Sequence, residues 1–256
     1  MTQLGQNQAF RELVLLLERL RGPDGCPWDR EQTHESLKRY LVEESHEVLE
    51  AIDQGASGKL PEELGDVLLQ VVFHAQIASE AGQFTIDDVL ESLRDKLVRR
   101  HPHVFGGTQM KDAREVETNW ERLKRGEREE GSSLLGCVPP STPALAYSQL
   151  IQDRASSAGF DWESIDGVLE KVIEELQEIR EAPSRERRAE EFGDLLLALV
   201  NVGRWMGVHG EDALRQANLR FSRRFMEMER LAHQLGLSFP ALPLDQKDVL
   251  WQQAKD

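Results

Sequence analysis

The chain has 256 residues, 39% of them hydrophobic and 30% charged, which is enough for one large domain or two ordinary ones with real cores. A formal charge of −15 argues against binding to nucleic-acid polymers or anionic membranes, yet leaves an anionic substrate open, because a bound cation reverses the local sign. No run of about 18 apolar residues is present, so no transmembrane helix is expected, and Met1 to Gln6 lacks the basic and apolar segments of a secretory signal.

In chain order, Phe10, Leu13, Val14, Leu17 and Leu20 follow helical spacing. Gly22 to Trp28 reads as a loop. It contains Cys26, which with the distant Cys137 offers neither a disulfide framework nor metal-ligand spacing, so both read as reduced thiols of a cytoplasmic protein. An acidic helix around Glu43 to Glu47 precedes a second loop, Gly55 to Pro61. Ile86, Val89, Leu90, Leu93 and Leu97 mark a further helix, which Pro102 ends. His101 and His103 flank that proline without a third metal ligand in view, and His46 and His74 read as packing or surface residues. Gly126 to Pro143, rich in charge, serine and proline, is the best linker. Beyond it helical spacing resumes and ends with Phe221, Phe225, Met228 and Leu231. No segment alternates strictly as a strand would.

The two flanking parts repeat each other. Glu43-Glu44-Ser45-His46-Glu47 matches Glu174-Glu175-Leu176-Gln177-Glu178, 131 residues on. Glu62-Glu63-Leu64-Gly65-Asp66 matches Glu190-Glu191-Phe192-Gly193-Asp194, 128 residues on. Lys96, Arg99 and Arg100 match Arg220, Arg223 and Arg224, and Trp120 and Lys124 match Trp251 and Lys255. Motifs recurring in one order at nearly constant spacing imply duplication. The expected fold is all-α, with two tandem helical bundles over residues 1–125 and 144–256 and a linker over 126–143.

The acidic motifs carry the chemistry. Residues three or four apart share a helix face, so Glu175 and Glu178 aim at one point with Glu174 beside them, and Glu191 and Asp194 do the same on the next helix. The stretch that follows, Leu195 to Val200, is apolar all round and is expected to be buried. Gly193 lacks a side chain and would let another helix or a ligand come close. Four carboxylates on two packed helices repel one another without a cation, and oxygen-only ligation suits magnesium or manganese. A single such acidic motif is usually a solvated face; two in tandem point to metal. The basic residues fit a phosphate substrate: Arg220 and Arg224 lie four apart, on the face opposite Phe221 and Phe225, and Arg187 precedes Glu191 by four as Lys59 precedes Glu63. Trp251 and Lys255 share a face, where the indole either covers a nucleotide or packs the last helix.

E-E-x-x-E followed by E-x-x-D resembles the MazG family of all-α nucleoside triphosphate pyrophosphohydrolases, relatives of the dimeric dUTPases. Arg21 to Asp29, Arg99 to Phe105 and Gly159 to Trp162 are similar to its signatures, and the likeness spans nearly the whole chain. The resemblance implies an all-α fold, Mg²⁺ dependence with Mn²⁺ as a substitute, a homodimer, and cleavage of nucleoside triphosphates, ATP among them, between the α and β phosphates. Carried over residue by residue, it makes Glu175, Glu178, Glu191 and Asp194 metal ligands, and gives Glu174 or Glu175 the task of orienting or deprotonating water. Arg187, Glu190, Arg220, Arg224, Trp251 and Lys255 then surround the triphosphate. Arginines stand at 187 and 220, where lysine is also typical of the family, so fork geometry replaces a point charge. Glu44, Glu47, Glu63 and Asp66, with Lys59, Lys96 and Arg100, form a possible second site. In tandem members of the family the C-terminal half is the usual candidate for catalysis, and the resemblance favours that half here. A nucleotide-sensing module or a helical scaffold without turnover is the alternative from a different functional class.

Overall fold

The computed structural model describes residues 3–108, 110–112, 115, 116, 119, 120, 123, 133–136 and 138–255. Lys124, Cys137 and residues 126–132 of the expected linker lie outside the described residues. Among the described residues there are eleven α-helices, one 3-10 turn and no strand. No helix among them is long and apolar enough to cross a membrane. The chain divides into two compact units, residues 1–120 and 121–256.

The first unit contains α1 (Gln3–Arg21), α2 (Pro27–Glu31), α3 (His34–Asp53), α4 (Leu60–Glu80), α5 (Ile86–Arg100) and α6 (Pro102–Phe105). A capping box starts α3, where Thr33 and Ser36 each accept the other's backbone N–H, and Thr85 with Asp88 starts α5 in the same way. The expected loop from Gly22 to Trp28 is shorter than the sequence suggests. Pro27 opens α2 because its fixed φ already suits a first helical turn, and Trp28 is helical. Helix α4 is central, packing on α1, α3 and α5. Leu17, Leu37, Val72 and Phe73 form the core, with Phe10, Leu13, Val14, Leu20, Tyr40 and Ile86 against it. His74 packs beside His34, their rings stacked at 5.0 Å and their Nδ1 atoms 2.7 Å apart. His101 closes α5, its Nδ1 2.6 Å from the Leu97 carbonyl.

The second unit contains α7 (Ala144–Ser157), α8 (Ile165–Glu181), α9 (Arg185–Trp205), α10 (Gly210–Gln234), the 3-10 turn Phe239–Ala241 and α11 (Leu244–Gln253). Helix α9 packs on α8, α7 and α10. Buried Gln149 of α7 ties down the α9–α10 turn: its Oε1 accepts from the Gly210 N–H at 3.0 Å and its Nε2 donates to the Val208 carbonyl at 3.4 Å. Met228, Ala232 and Leu250 join α10 to α11, with Trp251 and Phe239 against them. The expectation that Leu195 to Val200 is buried all round is met only on one side. Leu195, Ala198 and Val200 are buried, whereas Leu196, Leu197 and Leu199 are 38%, 39% and 47% exposed. Within one chain α9 has neighbours on one flank, and the other flank faces outward. Helix α4 repeats this with exposed Leu64, Leu68 and Val71.

Arg21 fastens the first unit. Its Nε and Nη2 donate to the two carboxylate oxygens of Glu80 at 2.9 and 2.7 Å, and its Nη1 donates to the carbonyls of Asp29 and Gln32. The side chain is 6% exposed and lies over the Phe73 ring. Replacing Arg21 with Met strands these acceptors, and urea unfolding is expected to show a loss of about 2 kcal/mol, since Glu80 is partly solvated. The Arg21 hydrogen bonds hold the Glu80 carboxyl below the usual glutamate range. The pair's contribution is therefore present at neutral pH and is lost as pH falls through that depressed value. The gap between wild type and Glu80→Gln should close on acidification; a gap independent of pH would contradict this assignment.

Candidate metal centre and anion-binding face

Helix α8 delivers Glu174, Glu175 and Glu178, and a short turn at residues 182–184 returns the chain so that the start of α9 lies beside the end of α8. Ser184 caps α9 by accepting from the Arg187 N–H at 3.2 Å. Glu190, Glu191 and Asp194 follow within the first turns. One carboxylate oxygen each from Glu175, Glu178 and Glu191 lies within 4.8 Å of the others. Asp194 lies outside that tight group and is exposed. Glu175 and Glu191 are only 3% and 5% exposed, while Glu178 is exposed at the mouth.

Two cations hold this cluster. Lys171 Nζ donates to Glu174 at 2.8 Å and to Glu175 at 2.7 Å. Arg187 pairs with Glu190 at 2.6 Å and also with Glu191. The remaining oxygen of Glu175, Oε2, is buried without a hydrogen-bond partner. Partial desolvation, then the charges of Glu191 and Glu175, holds the Glu178 carboxyl above its ordinary value. Crowded carboxylates with an open buried oxygen fit a hard divalent cation, which takes oxygen ligands and offsets the repulsion.

The first unit repeats the arrangement on α3 and α4. Oxygens of Glu44, Glu63 and Asp66 lie within 4.8 Å of one another, all half-buried. Desolvation and the charges of Asp66 and Glu47 raise the Glu44 carboxyl, and desolvation with the charge of Glu47 raises that of Glu63. Glu47 therefore stands close to a set that it does not complete. Among the described residues no ion pair within 4.0 Å reaches Glu44, Glu63 or Asp66, although Lys59, in the register of Arg187, lies near enough for its charge to act on Glu63.

The basic positions separate into two groups. Arg187 joins the acidic cluster directly. Arg220 is exposed on α10, and among the described residues neither it nor Arg224 or Lys255 pairs with Glu175, Glu178, Glu191 or Asp194 within 4.0 Å. Arg224 is not on the face opposite Phe221. Residues three apart on a helix lie on one side, and both meet Trp251: the guanidinium sits 5.7 Å from the indole and the Phe221 ring 5.3 Å from it. Lys255 lies just past α11 and donates to Gln252 Oε1 at 2.8 Å. Among the described residues a Cβ added at Gly193 or Gly65 meets nothing within 4 Å, so none of them uses the approach that a glycine leaves open there.

Two features escape a reading from acidic motifs. Lys171 is one; its signal is the spacing of three and four residues to Glu174 and Glu175. The other is a cleft of about 340 Å³ lined by Gln152, Phe160, Asp161, Trp162, Asn201 and Arg204. There Asp161 pairs with Arg204 and accepts from Ser156 at 2.7 Å, and Gln152 Oε1 is buried without a partner. Asn201 stands on α9 seven residues beyond Asp194, two turns along the same face.

The family model described as the MazG nucleotide pyrophosphohydrolase domain matches residues 32–105, which contain the first acidic set. The chain is 50% identical over 247 residues to the nucleoside triphosphate pyrophosphohydrolase/pyrophosphatase MazG of Thermotoga maritima, spanning 96% of this chain and 95% of that protein. It is 43% identical over 257 residues to the nucleoside triphosphate pyrophosphohydrolase of Escherichia coli K12, spanning 97% of each. It is 46% identical over 252 residues to the uncharacterised protein YabN of Bacillus subtilis, covering 96% of this chain and 52% of that one.

Adding Mn²⁺ to chelator-treated protein is expected to raise the melting temperature, because a ligand that binds only the folded state stabilises it, by about 2.7 kcal/mol at a hundredfold excess over its Kd. The double variant Glu63→Gln, Glu175→Gln should lose most of this gain. An equal gain in the double variant would place the cation elsewhere.

Proposed function

The chain belongs to the MazG family of nucleotide pyrophosphohydrolases, and from that premise we propose that it hydrolyses nucleoside triphosphates, ATP among them, to the monophosphate and pyrophosphate with Mg²⁺, or Mn²⁺ in its place. In this reading the two tandem domains span 1–125 and 144–256, and the second is catalytic. The observation that carries it is the tight group of Glu175, Glu178 and Glu191, two of them buried. Charges act more strongly where water is excluded, and the half-buried acids of the first unit lack that advantage.

Glu175, Glu178 and Glu191, with Asp194 joining, would hold a divalent cation, which would supply charge neutralisation to the phosphate oxygens. Glu174 or Glu175 orients or deprotonates the attacking water. Arg187, positioned by Glu190, and Arg220, Arg224 and Lys255 bind phosphate oxygens. Trp251 acts by stacking: it steadies Arg224. The cleft between Phe160, Trp162 and Asn201 begins about 10 Å along α9 from Asp194, at 1.5 Å per residue, and that reach suits the sugar and base of a nucleotide. The cellular task in this reading is clearing unusual nucleotides or controlling signalling nucleotides.

The test is pyrophosphate release across a nucleotide panel, with Mg²⁺ and with chelator. Turnover should stop in chelator. Glu178→Gln should lower kcat at least about tenfold, roughly 1.4 kcal/mol of transition-state stabilisation, while Glu47→Gln keeps most turnover. The reverse pattern would move catalysis to the first half, and nucleotide binding without turnover would favour a sensor.

Assembly belongs to the same proposal. Phe192, Leu196 and Leu199 on α9, with Ile173 and Leu176 on α8, leave an apolar face next to the acids. A second copy covering it makes a homodimer. Light scattering should give twice the chain mass of 29.1 kDa, and Leu199→Asp should shift the protein toward the single-chain value. An active protein of single-chain mass would overturn the dimer.

A further inference from the structure

The buried Glu175 already holds a cation from its own helix. Lys171 stands one turn before it and bridges Glu174 and Glu175 at 2.8 and 2.7 Å, with its own side chain 36% exposed. The bridge uses one oxygen of Glu175, and Oε2 stays open and buried. Arg187 does the same for Glu191 from α9. In the register of the repeat, Tyr40 takes the place of Lys171 in the first half. Its ring packs in the core and beside Trp28, so that half carries four acids without this ammonium.

We propose that Lys171 is the resting counter-cation of the C-terminal site and a binding residue for the polyphosphate. It holds Glu175 in the metal-free site and passes to a phosphate oxygen when a divalent cation and the nucleotide arrive together. This rests on the reading of the cluster as a metal and nucleoside triphosphate site. The physical reason is charge matching. Glu175 cannot serve a divalent cation fully while its Oε1 holds an ammonium, and two cations at one carboxylate repel. Released alone into water, Lys171 gains no new partner. Released beside a polyphosphate, it meets an anion, and a flexible four-carbon stem with three rotatable donors reaches it without moving the helix. Metal and nucleotide therefore help each other bind in the second half. The first half, lacking the ammonium, binds metal without that coupling.

The experiment uses the full-length chain carrying Glu63→Gln, which weakens the first-half cluster, and compares Lys171 with Lys171→Met, Lys171→Gln and Lys171→Arg. Mn²⁺ binding is read by electron paramagnetic resonance, and binding of a non-hydrolysable α,β-methylene triphosphate analogue in saturating Mn²⁺ by calorimetry. Lys171→Met and Lys171→Gln should tighten Mn²⁺ alone about threefold to tenfold and weaken the analogue by a similar factor. Lys171→Arg should keep both near the starting values. Arg180→Met removes the same charge nine residues on, on the opposite side of α8, and should change neither. A residue that only organises Glu175 would weaken both affinities when removed, and a bystander charge would tighten Mn²⁺ and leave the analogue as tight or tighter; either result overturns the proposal. Absence of Mn²⁺ binding in every variant overturns the metal reading itself. The Gln variant, close in length and polar, gives the answer if the Met variant does not fold.

Discussion

Carboxylates crowded on two packed helices set the terms for the second unit. Glu175, Glu178 and Glu191 bring oxygens within 4.8 Å of one another, and two of these residues are buried. Like charges at such range are costly where water is scarce. The surrounding structure answers that cost through Lys171 and Arg187, each drawn from the same helix as the acid it neutralises. The packing of α8 on α9, the Ser184 cap and the short turn between the helices hold the charges together against their repulsion. Crowding of this kind is what a hard divalent cation with oxygen ligands would relieve.

The same helices explain why the rest of the chain is built as it is. An acidic site between two helices needs apolar packing on one flank of each, and α9 obtains it from α7, α8 and α10. Its other flank keeps leucines exposed, as α4 does in the first unit. Such paired, outward apolar faces on a duplicated scaffold are the raw material for association between copies. Duplication preserved the four acidic positions of each half, and it kept a cation at Lys59 for Arg187 but not at the position of Lys171. Tyr40 stands for Lys171, and the two halves differ in burial, with Glu44, Glu63 and Asp66 half-buried where Glu175 and Glu191 are fully buried.

Much of this was legible in the residues alone. Helical spacing located the main helices; Pro102 stopped α5 where expected; and the repeated E-E-x-x-E and E-x-x-D motifs identified the helices that carry the acids. These features are local, fixed by backbone chemistry and by the 3.6-residue period, and so they survive in the order of the letters. The all-α class followed from them.

What only the tertiary structure decided depends on distances across helices. Sequence spacing pairs Glu175 with Glu178, but the approach of α9 to α8 selects Glu191 for the tight group and leaves Asp194 outside it. In the first unit the corresponding approach selects Asp66 and leaves Glu47 beside the group. Spacing cannot reveal that Arg224 and Phe221 converge on Trp251, since that indole comes from α11. Nor can it show how much of an apolar helix is covered, because coverage belongs to the neighbours and not to the helix. The sequence determined which residue types share a helix face; the packing of one helix on another determined which charges meet, which are buried, and which cation answers each acid.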